Sequence, residues 1–244
     1  MAKRTPSYDR RVERLRELQD ATLQLISEDG IEAFSMHKLA ERVRLTPGAL
    51  YRYFRSRDEL LAAVQLEVLD GFDDYLSGVM SELTGASPLT RVVVLCRAYL
   101  ALKDLQPERF RLIARLVSAP DPLLEDEAAG LALGRAMALI GKLADEIRSA
   151  QDAGALTTGN ASRRALVGWS SVQAIVERGK LRRLLPEEFE PRALVEELLR
   201  TLLLGWGATA QEVEGALTAA ELAAPPLPAQ PVSAQPARKA KRSA

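Results

Sequence analysis

Apolar residues recur at helical spacing along almost the whole chain, and this periodicity constrains the fold most strongly. Positions 18, 21, 22, 25 and 26 form one such stripe, and no run alternates β-branched residues as a strand would. The pattern predicts an all-α protein. Prolines and glycines divide it into helices expected at 8–29, 36–43, 47–53, 56–83, 88–104, 107–118, 123–153, 161–179, 191–206 and 208–223.

Three hydroxyl residues predict where consecutive helices begin: Ser35, Thr46 and Ser56. Their side chains can accept a hydrogen bond from a backbone N–H in the first turn. Glu59 lies three residues after Ser56, which predicts a capping box. Gly30 predicts a left-handed end to the first helix.

The second and third predicted helices are separated by only three residues, 44–46. This spacing is typical of a helix-turn-helix. The third helix is too short to be stable alone, so it must pack through Leu50 and Phe54. A helical hairpin with a solvated polar face fits the pattern equally well.

The other side of the third helix suits DNA. Pro47 and Gly48 are small residues that allow close approach to a groove floor. The hydroxyl of Tyr51 can reach phosphate, and Arg52 can pair with guanine edges.

The residues at 46–61, TPGALYRYFRSRDELL, together with those at 21–40, resemble the signature of the TetR (tetracycline-repressor) family. The resemblance implies an N-terminal helix-turn-helix domain and a larger helical ligand-binding and dimerisation domain. It implies that Tyr51 contacts the DNA backbone and that Arg57, at the start of the fourth helix, grips phosphate.

The resemblance also implies a set of DNA-binding residues on the second helix, the turn, the third helix and the next helix start. They are Ser35, His37, Lys38, Arg44, Thr46, Pro47, Gly48, Ala49, Tyr51, Arg52, Tyr53 and Arg57. Arg44 departs from the family, which usually has glycine there. A left-handed arginine would cost roughly 1 kcal/mol, unless another turn forms or its charge is used on phosphate. Tyr53 stands where the family often has histidine.

Charge is distributed unevenly, although the formal net charge is zero. Residues 1–16 hold six basic and two acidic residues, and the last twenty hold four basic and no acidic ones. The segment 61–224 is acidic, with 17 basic and 23 acidic residues. Basic ends favour contact with a polyanion through part of the surface, and solvated tails are the alternative.

The compartment can be predicted from the cysteine content and the apolar runs. Cys96 is the only cysteine, which excludes an intramolecular disulfide and favours a reducing compartment. The N-terminus lacks the apolar stretch of a secretory signal, and charges interrupt every apolar run. We expect a soluble, cytoplasmic protein without membrane contact, associated with the nucleoid when bound to DNA.

The sequence gives little support for a catalytic site or a metal site. His37 is the only histidine, so a metal or acid–base role would need distant partners. Asp70, Asp73 and Asp74 could suggest Mg²⁺, but a solvated helix face explains them better. No phosphate loop, nucleophile–base pair or zinc spacing is present. We therefore expect no metal, no cofactor and no enzymatic activity.

Three regions are expected: a DNA-binding domain at 10–62, a ligand-binding and dimerisation domain at 63–224, and a disordered basic tail at 225–244. The resemblance implies an unidentified, small and apolar effector in the second region. Plain core packing is the alternative for each pocket candidate. The candidates are Phe72, Leu76, Cys96, Tyr99, Phe110, Ile113, Met137, Ile140, Trp169 and Gln173.

A homodimer is expected because two recognition helices must reach successive major-groove faces about 34–36 Å apart. The resemblance implies that the last two long helices pair with their symmetry mates; burial within one chain is the alternative. The candidate contacts are Val167, Ser170, Ser171, Ala174, Val176, Leu194, Leu198, Thr201, Leu202 and Gly205, with Trp206 at the edge.

The predicted function is a repressor that a small molecule releases from operator DNA. A TetR-like activator or a ligand-independent regulator is the alternative within DNA binding. From another class, the lack of a catalytic constellation argues against an all-helical enzyme, and a helical adaptor would not explain the recognition-helix residues.

Overall fold

The computed structural model describes residues 6–118, 126–177, 186 and 189–223. Within these ranges the secondary structure is helical without strands, which confirms the all-α prediction. The helices are α1 (Pro6–Asp29), α2 (Met36–Arg42), α3 (Pro47–Leu50), α4 (Arg57–Ser81), α5 (Pro88–Leu105), α6 (Pro107–Ser118), α7 (Asp126–Asp152), α8 (Ala161–Val176), α9 (Pro191–Gly205) and α10 (Ala210–Leu222). The tail predicted to be disordered, 225–244, lies outside the described residues.

The predicted helix starts are confirmed in the DNA-binding region. Ser35, Thr46 and Ser56 each accept a hydrogen bond from the backbone N–H three residues later, at 3.3, 3.2 and 3.0 Å. Gly30 ends α1 with a φ of 86°, as predicted. These local signals fix the short helices α2 and α3, which have too few residues to be stable alone.

The capping box at α4 differs from the prediction in one bond. Glu59 lies at the expected position, but its carboxylate accepts the backbone N–H of Arg55 rather than that of Ser56. The acceptor therefore reaches one residue further back along the chain. The bond connects the backbone just before α4 to the first turn of α4.

Helix α2 ends in a Schellman turn, and Arg44 takes its left-handed position with a φ of 54°. The N–H of Leu45 donates to the carbonyl of Ala40 at 2.9 Å, and the N–H of Arg44 donates to that of Glu41 at 3.2 Å. Arginine therefore adopts the conformation that glycine would adopt more easily. Its side chain projects from the helix-turn-helix turn and is exposed.

Helix α4 connects the two predicted regions without a break. Its 25 residues span about 37 Å. Helix α1 packs against α4, and so do α5, α6 and α7. Helix α7 also packs against α8, and α10 packs against α5 and α9. One buried cluster runs through all these helices, so the boundary at 62/63 stays a prediction.

The acidic residues at the middle of α4 face cations on α7. Asp70 pairs with Arg135, and Asp73 lies 3.2 Å from the ammonium of Lys142. Lys142 also donates to the hydroxyl of Ser77 at 2.8 Å. These ion pairs help to align α4 with α7 and give Asp70 and Asp73 cationic partners within the chain.

No helix in the described ranges is long and apolar enough to cross a membrane.

Replacing Arg44 by glycine should stabilise the fold by about 1 kcal/mol, because glycine has no Cβ to clash in the left-handed conformation. Arg44→Ala is the control, since it removes the same charge but keeps the Cβ. Its free energy of unfolding should change by less than about 0.5 kcal/mol. Urea denaturation measures both, and equal changes would show that the backbone strain is not responsible.

Candidate functional site

The recognition element consists of α3 and the turn that follows it, residues 51–53. The regular α-helix ends at Leu50 and is therefore shorter than predicted. In the turn that follows, the hydrogen bond spans three residues instead of four: the N–H of Tyr53 donates to the carbonyl of Leu50 at 2.9 Å. Leu50 is fully buried and Phe54 is 5% exposed. Both predicted anchors therefore hold the element against the core, and its other side faces outward.

None of the twelve predicted DNA-binding residues is buried. Four are half-buried: Ser35, Ala49, Tyr53 and Arg57. The other eight are exposed: His37, Lys38, Arg44, Thr46, Pro47, Gly48, Tyr51 and Arg52. They lie on α2, the turn and α3, so the fold gathers them around one helix-turn-helix. Their individual contacts to DNA stay predictions.

Arg57 has contacts within the chain that its predicted phosphate role did not anticipate. Its Nη2 donates to the carbonyl of Ile31 at 2.8 Å, and its Nε donates to that of Phe34 at 3.4 Å. The guanidinium also lies 5.9 Å from the centre of the Phe34 ring. Arg57 therefore fastens the start of α4 to the connection between α1 and α2.

Two arginines of α1 contact the helix-turn-helix, and the sequence analysis did not assign them to it. The guanidinium of Arg11 lies 5.8 Å from the ring centre of Tyr53, within the range of a cation–π contact. Arg14 donates to the carbonyl of Val43 at the end of α2, at 3.3 Å. The basic N-terminus was the available signal, but charge alone does not show which helix lies beside it.

The polar residues at the start of α2 are also paired within the chain. The ammonium of Lys38 lies 2.7 Å from the carboxylate of Asp29, and this hydrogen bond lowers the pKa of Asp29. His37 lies 3.3 Å from Glu41 on the same helix. Both basic side chains are exposed beside the turn.

A cavity of about 60 Å³ lies in the predicted ligand-binding region, between α4, α5, α6, α7 and α8. Seven of the ten pocket candidates line it: Phe72, Leu76, Cys96, Tyr99, Ile113, Ile140 and Trp169. Six lining residues were missed: Leu69, Leu95, Ala136, Leu139, Leu143 and Val172. The missed residues are ordinary core side chains, which carry no sequence signal for a pocket.

The remaining three candidates lie elsewhere. Phe110 is buried, with its ring centre 5.4 Å from that of Tyr99, and Gln173 is buried beside the Tyr99 hydroxyl. The prediction for Met137 is wrong, because its side chain is 43% exposed and does not line the cavity. Small residues surround Met137 on α7, so the apolar periodicity did not identify the buried face there.

A chain of hydrogen bonds leads from the cavity wall outward. Tyr99 donates to Oε1 of Gln173 at 2.5 Å, and Nε2 of Gln173 donates to the carboxylate of Glu177 at 2.6 Å. Burial raises the pKa of Tyr99 well above its ordinary value, and a hydrogen bond from Trp169 opposes this shift. Tyr99 is therefore a neutral phenol. Burial also raises the pKa of Cys96 to about 12.

Helix α6 connects the cavity region to the DNA-binding helices. Arg109 lies 3.0 Å from Glu67 on α4 and 3.7 Å from Asp20 on α1. The hydroxyl of Ser27 on α1 donates to Glu108 at 3.2 Å. The side chain of Ile113 on the same helix lines the cavity. Helix α6 therefore contacts the cavity, α4 and α1.

The candidate dimer contacts on α8 and α9 divide into outer and inner sets. Outer residues are exposed or half-buried: Val167, Ser170, Ser171, Ala174, Leu194, Leu198, Thr201 and Gly205. Leu166 and Leu204 on the same helices are also exposed, at 41% and 45%, and the prediction did not include them. The prediction of Val176 as a dimer contact is wrong, because its side chain is buried within the chain. Leu202 packs inward towards Gly168, and Trp206 lies under the guanidinium of Arg164.

Within the described ranges, no group of three histidine, cysteine or acidic side chains comes together as a metal site.

Comparison with known proteins shows which family the N-terminal segment resembles. Residues 18–64, which include α2, α3 and the start of α4, match the model of the bacterial regulatory proteins of the tetR family. In this segment the chain is similar to the TetR family. The matched segment is the one that carries the exposed recognition element.

Two curated relatives of this chain are HTH-type transcriptional repressors named KstR. The protein from Mycolicibacterium smegmatis is 36% identical over 83 residues, which is 33% of this chain and 38% of the relative. The protein from Rhodococcus jostii is 41% identical over 61 residues, which is 25% of this chain and 29% of the relative. The alignments therefore span less than two fifths of either repressor.

Solved structures extend the likeness to the whole fold. AibR, in complex with isovaleryl coenzyme A and operator DNA, aligns with a TM-score of 0.60 at 19% identity. The alignment covers 78% of this chain and 98% of AibR. RolR, in complex with resorcinol, aligns with a TM-score of 0.58 at 17% identity, covering 91% of this chain and 98% of RolR. At these identities the likeness establishes the fold alone.

Proposed function

We propose that the protein is a homodimeric transcriptional regulator that represses genes by binding operator DNA and leaves the operator when a small molecule occupies its cavity. The single observation that carries the proposal is the recognition element itself. Tyr51 and Arg52 are exposed on a turn whose opposite side is anchored by the buried Leu50. A family match at residues 18–64 supports the DNA-binding role.

The proposed DNA surface separates positioning from base reading. Tyr51 contacts the phosphate backbone, whereas Arg52 pairs with a guanine edge. Arg11 adds a positive charge beside Tyr53. Arg44 adds another at the turn, where its exposed side chain is free of the core. Together these cations give the helix-turn-helix the charge that phosphate binding needs.

The proposed dimer uses the outer faces of α8 and α9. Val167 is 52% exposed, and Leu166 and Leu204 are exposed on the same two helices. Covering these side chains with a second copy would remove apolar surface from water. A dimer of this kind places two recognition elements on one duplex, so the distance between them decides DNA affinity.

The proposed response to a ligand passes through α4 and α6. Phe72 and Leu76 of α4 line the cavity, whereas the first turn of α4 is fastened to the DNA-binding helices by Arg57. Arg109 of α6 joins α4 to α1. A ligand that shifts either helix changes the separation of the two recognition elements without touching a DNA contact. AibR and RolR, whose solved complexes contain small molecules, are consistent with this response.

Arg52→Ala should relax preference at one base position per half-site, by about 1–3 kcal/mol. Tyr51→Ala should weaken binding to operator and scrambled duplexes alike, because phosphate contacts carry no sequence information. Footprinting on the DNA that flanks the gene identifies the operator, and titrations across salt concentrations compare the variants. Arg135→Ala, which removes a cation on α7, is the charge control. Equal specificity for Arg52→Ala and wild type would contradict the base-reading role.

Val167→Glu should convert the dimer into monomers, because the new carboxylate would be buried without a partner in the interface. Leu133→Glu is the matched control, since Leu133 is an equally apolar side chain, 63% exposed on α7. Sedimentation velocity at micromolar concentration measures the oligomeric state. A wild type that sediments as a monomer would refute the proposed dimer, and loss of the dimer in both variants would refute the assigned face.

A ligand found by thermal-shift screening should weaken operator binding about 5- to 150-fold, and operator DNA should weaken ligand binding by the same factor. Arg109→Met should reduce this factor, because it breaks the connection from α6 to α1 and α4. Arg135→Met, which breaks a pair between α7 and α4 only, should not. Titration calorimetry with and without operator measures the factor, and equal ligand affinities in the wild type would exclude the coupling.

A further inference from the structure

The cavity wall is almost entirely apolar. Among its thirteen lining residues, only Cys96, Tyr99 and Trp169 carry a side-chain heteroatom, and none carries a charge. A charged group moved into such surroundings loses its hydration without gaining a partner. The described lining therefore favours an uncharged occupant.

The hydrogen-bond chain determines which polar group the occupant should bring. The carboxylate of Glu177 can only accept, so the amide nitrogen of Gln173 must face it. Oε1 of Gln173 then faces Tyr99 and takes the hydroxyl proton. The Tyr99 hydroxyl is therefore already used as a donor, and its oxygen, which accepts a hydrogen bond from Trp169, has one acceptor position left. The best complement is a hydrogen-bond donor on the ligand.

The size of the cavity limits the ligand further. Its volume of about 60 Å³ has room for a few water-sized spheres. A cavity that holds benzene measures roughly 150 Å³. A single ring would thus already push the walls apart, whereas a bulky or polyphosphorylated molecule would find neither space nor a cation. Trp169 is only half-buried at the wall and can move more easily than the buried Phe72.

We propose that the cavity binds a compact, uncharged alcohol or phenol whose hydroxyl donates to the Tyr99 oxygen while its apolar body fills the space beside Phe72 and Ile140. The proposal rests on the proposed function, since it names the ligand class of the same site. Tyr99 distinguishes the ligand from a plain hydrocarbon of the same shape.

Three probes with one methylphenyl body test the proposal: p-cresol, toluene and 4-methylbenzoate. Titration calorimetry on the full-length protein, without DNA, measures each dissociation constant. p-Cresol should bind about 2- to 12-fold more tightly than toluene, which corresponds to one net hydrogen bond. 4-Methylbenzoate should bind at least tenfold more weakly than p-cresol, because its carboxylate would be buried without a cation.

Tyr99→Phe should bring p-cresol and toluene to within about twofold of one another while leaving toluene binding unchanged, since only the hydroxyl is removed. Ala136→Leu should abolish binding of both probes by filling the cavity. Met137→Leu, at the neighbouring exposed position, should leave both affinities unchanged. Circular dichroism melting confirms that each variant is folded.

Each contrary result would overturn one part of the proposal about the ligand. A preference for p-cresol that survives Tyr99→Phe overturns the role of the hydroxyl, and tight binding of 4-methylbenzoate overturns the uncharged class. Binding that survives Ala136→Leu places the site elsewhere, and no binding of p-cresol overturns the ligand class. These outcomes leave the DNA-binding proposal intact. If p-cresol binds as expected but operator affinity stays constant, the coupling fails and the ligand class stands.

Discussion

The attachment of α4 to the corner between α1 and α2 is the interaction on which the rest of the structure depends. Arg57 donates to the carbonyls of Ile31 and Phe34, which lie in the connection between α1 and α2. Glu59 binds the backbone beside the recognition turn from the other direction. The small helices α2 and α3 therefore take their position from the first turn of α4. Since the same helix continues to the cavity, it is the element that the two regions share.

Charged side chains outside the DNA surface mainly connect helices. Arg97 on α5 donates to Glu196 on α9 and to the carbonyl of Leu217 on α10, at 2.9 and 3.1 Å. Arg91 on α5 lies 2.6 Å from Glu146 on α7. Helix α5 thus contacts the cavity with one side and the helices of the proposed dimer with another. A displacement of α5 would be transmitted in both directions.

The features that could be predicted from the sequence are those that depend on residues close together along the chain. Ser35, Thr46 and Ser56 predicted helix starts correctly because a cap needs only its own first turn. Leu50 was predicted as an anchor because a helix so short has few apolar choices. Met137 was assigned to the wrong face because α7 is rich in alanine and glycine there, so the contrast between its sides is small. The long-range partners of Arg11, Arg57 and Arg109 depend on tertiary packing, which no spacing along the chain reveals.

The buried position of Cys96 gives the molecule a single thiol that reports on cavity opening. With its pKa raised to about 12, very little of this thiol is ionised near neutral pH, and the thiolate is the reactive form. Alkylating reagents can therefore modify it only when the helices around the cavity separate. The rate of modification measures the free energy of that opening in the unmodified protein. Air oxidation and disulfide-linked aggregation are suppressed for the same reason.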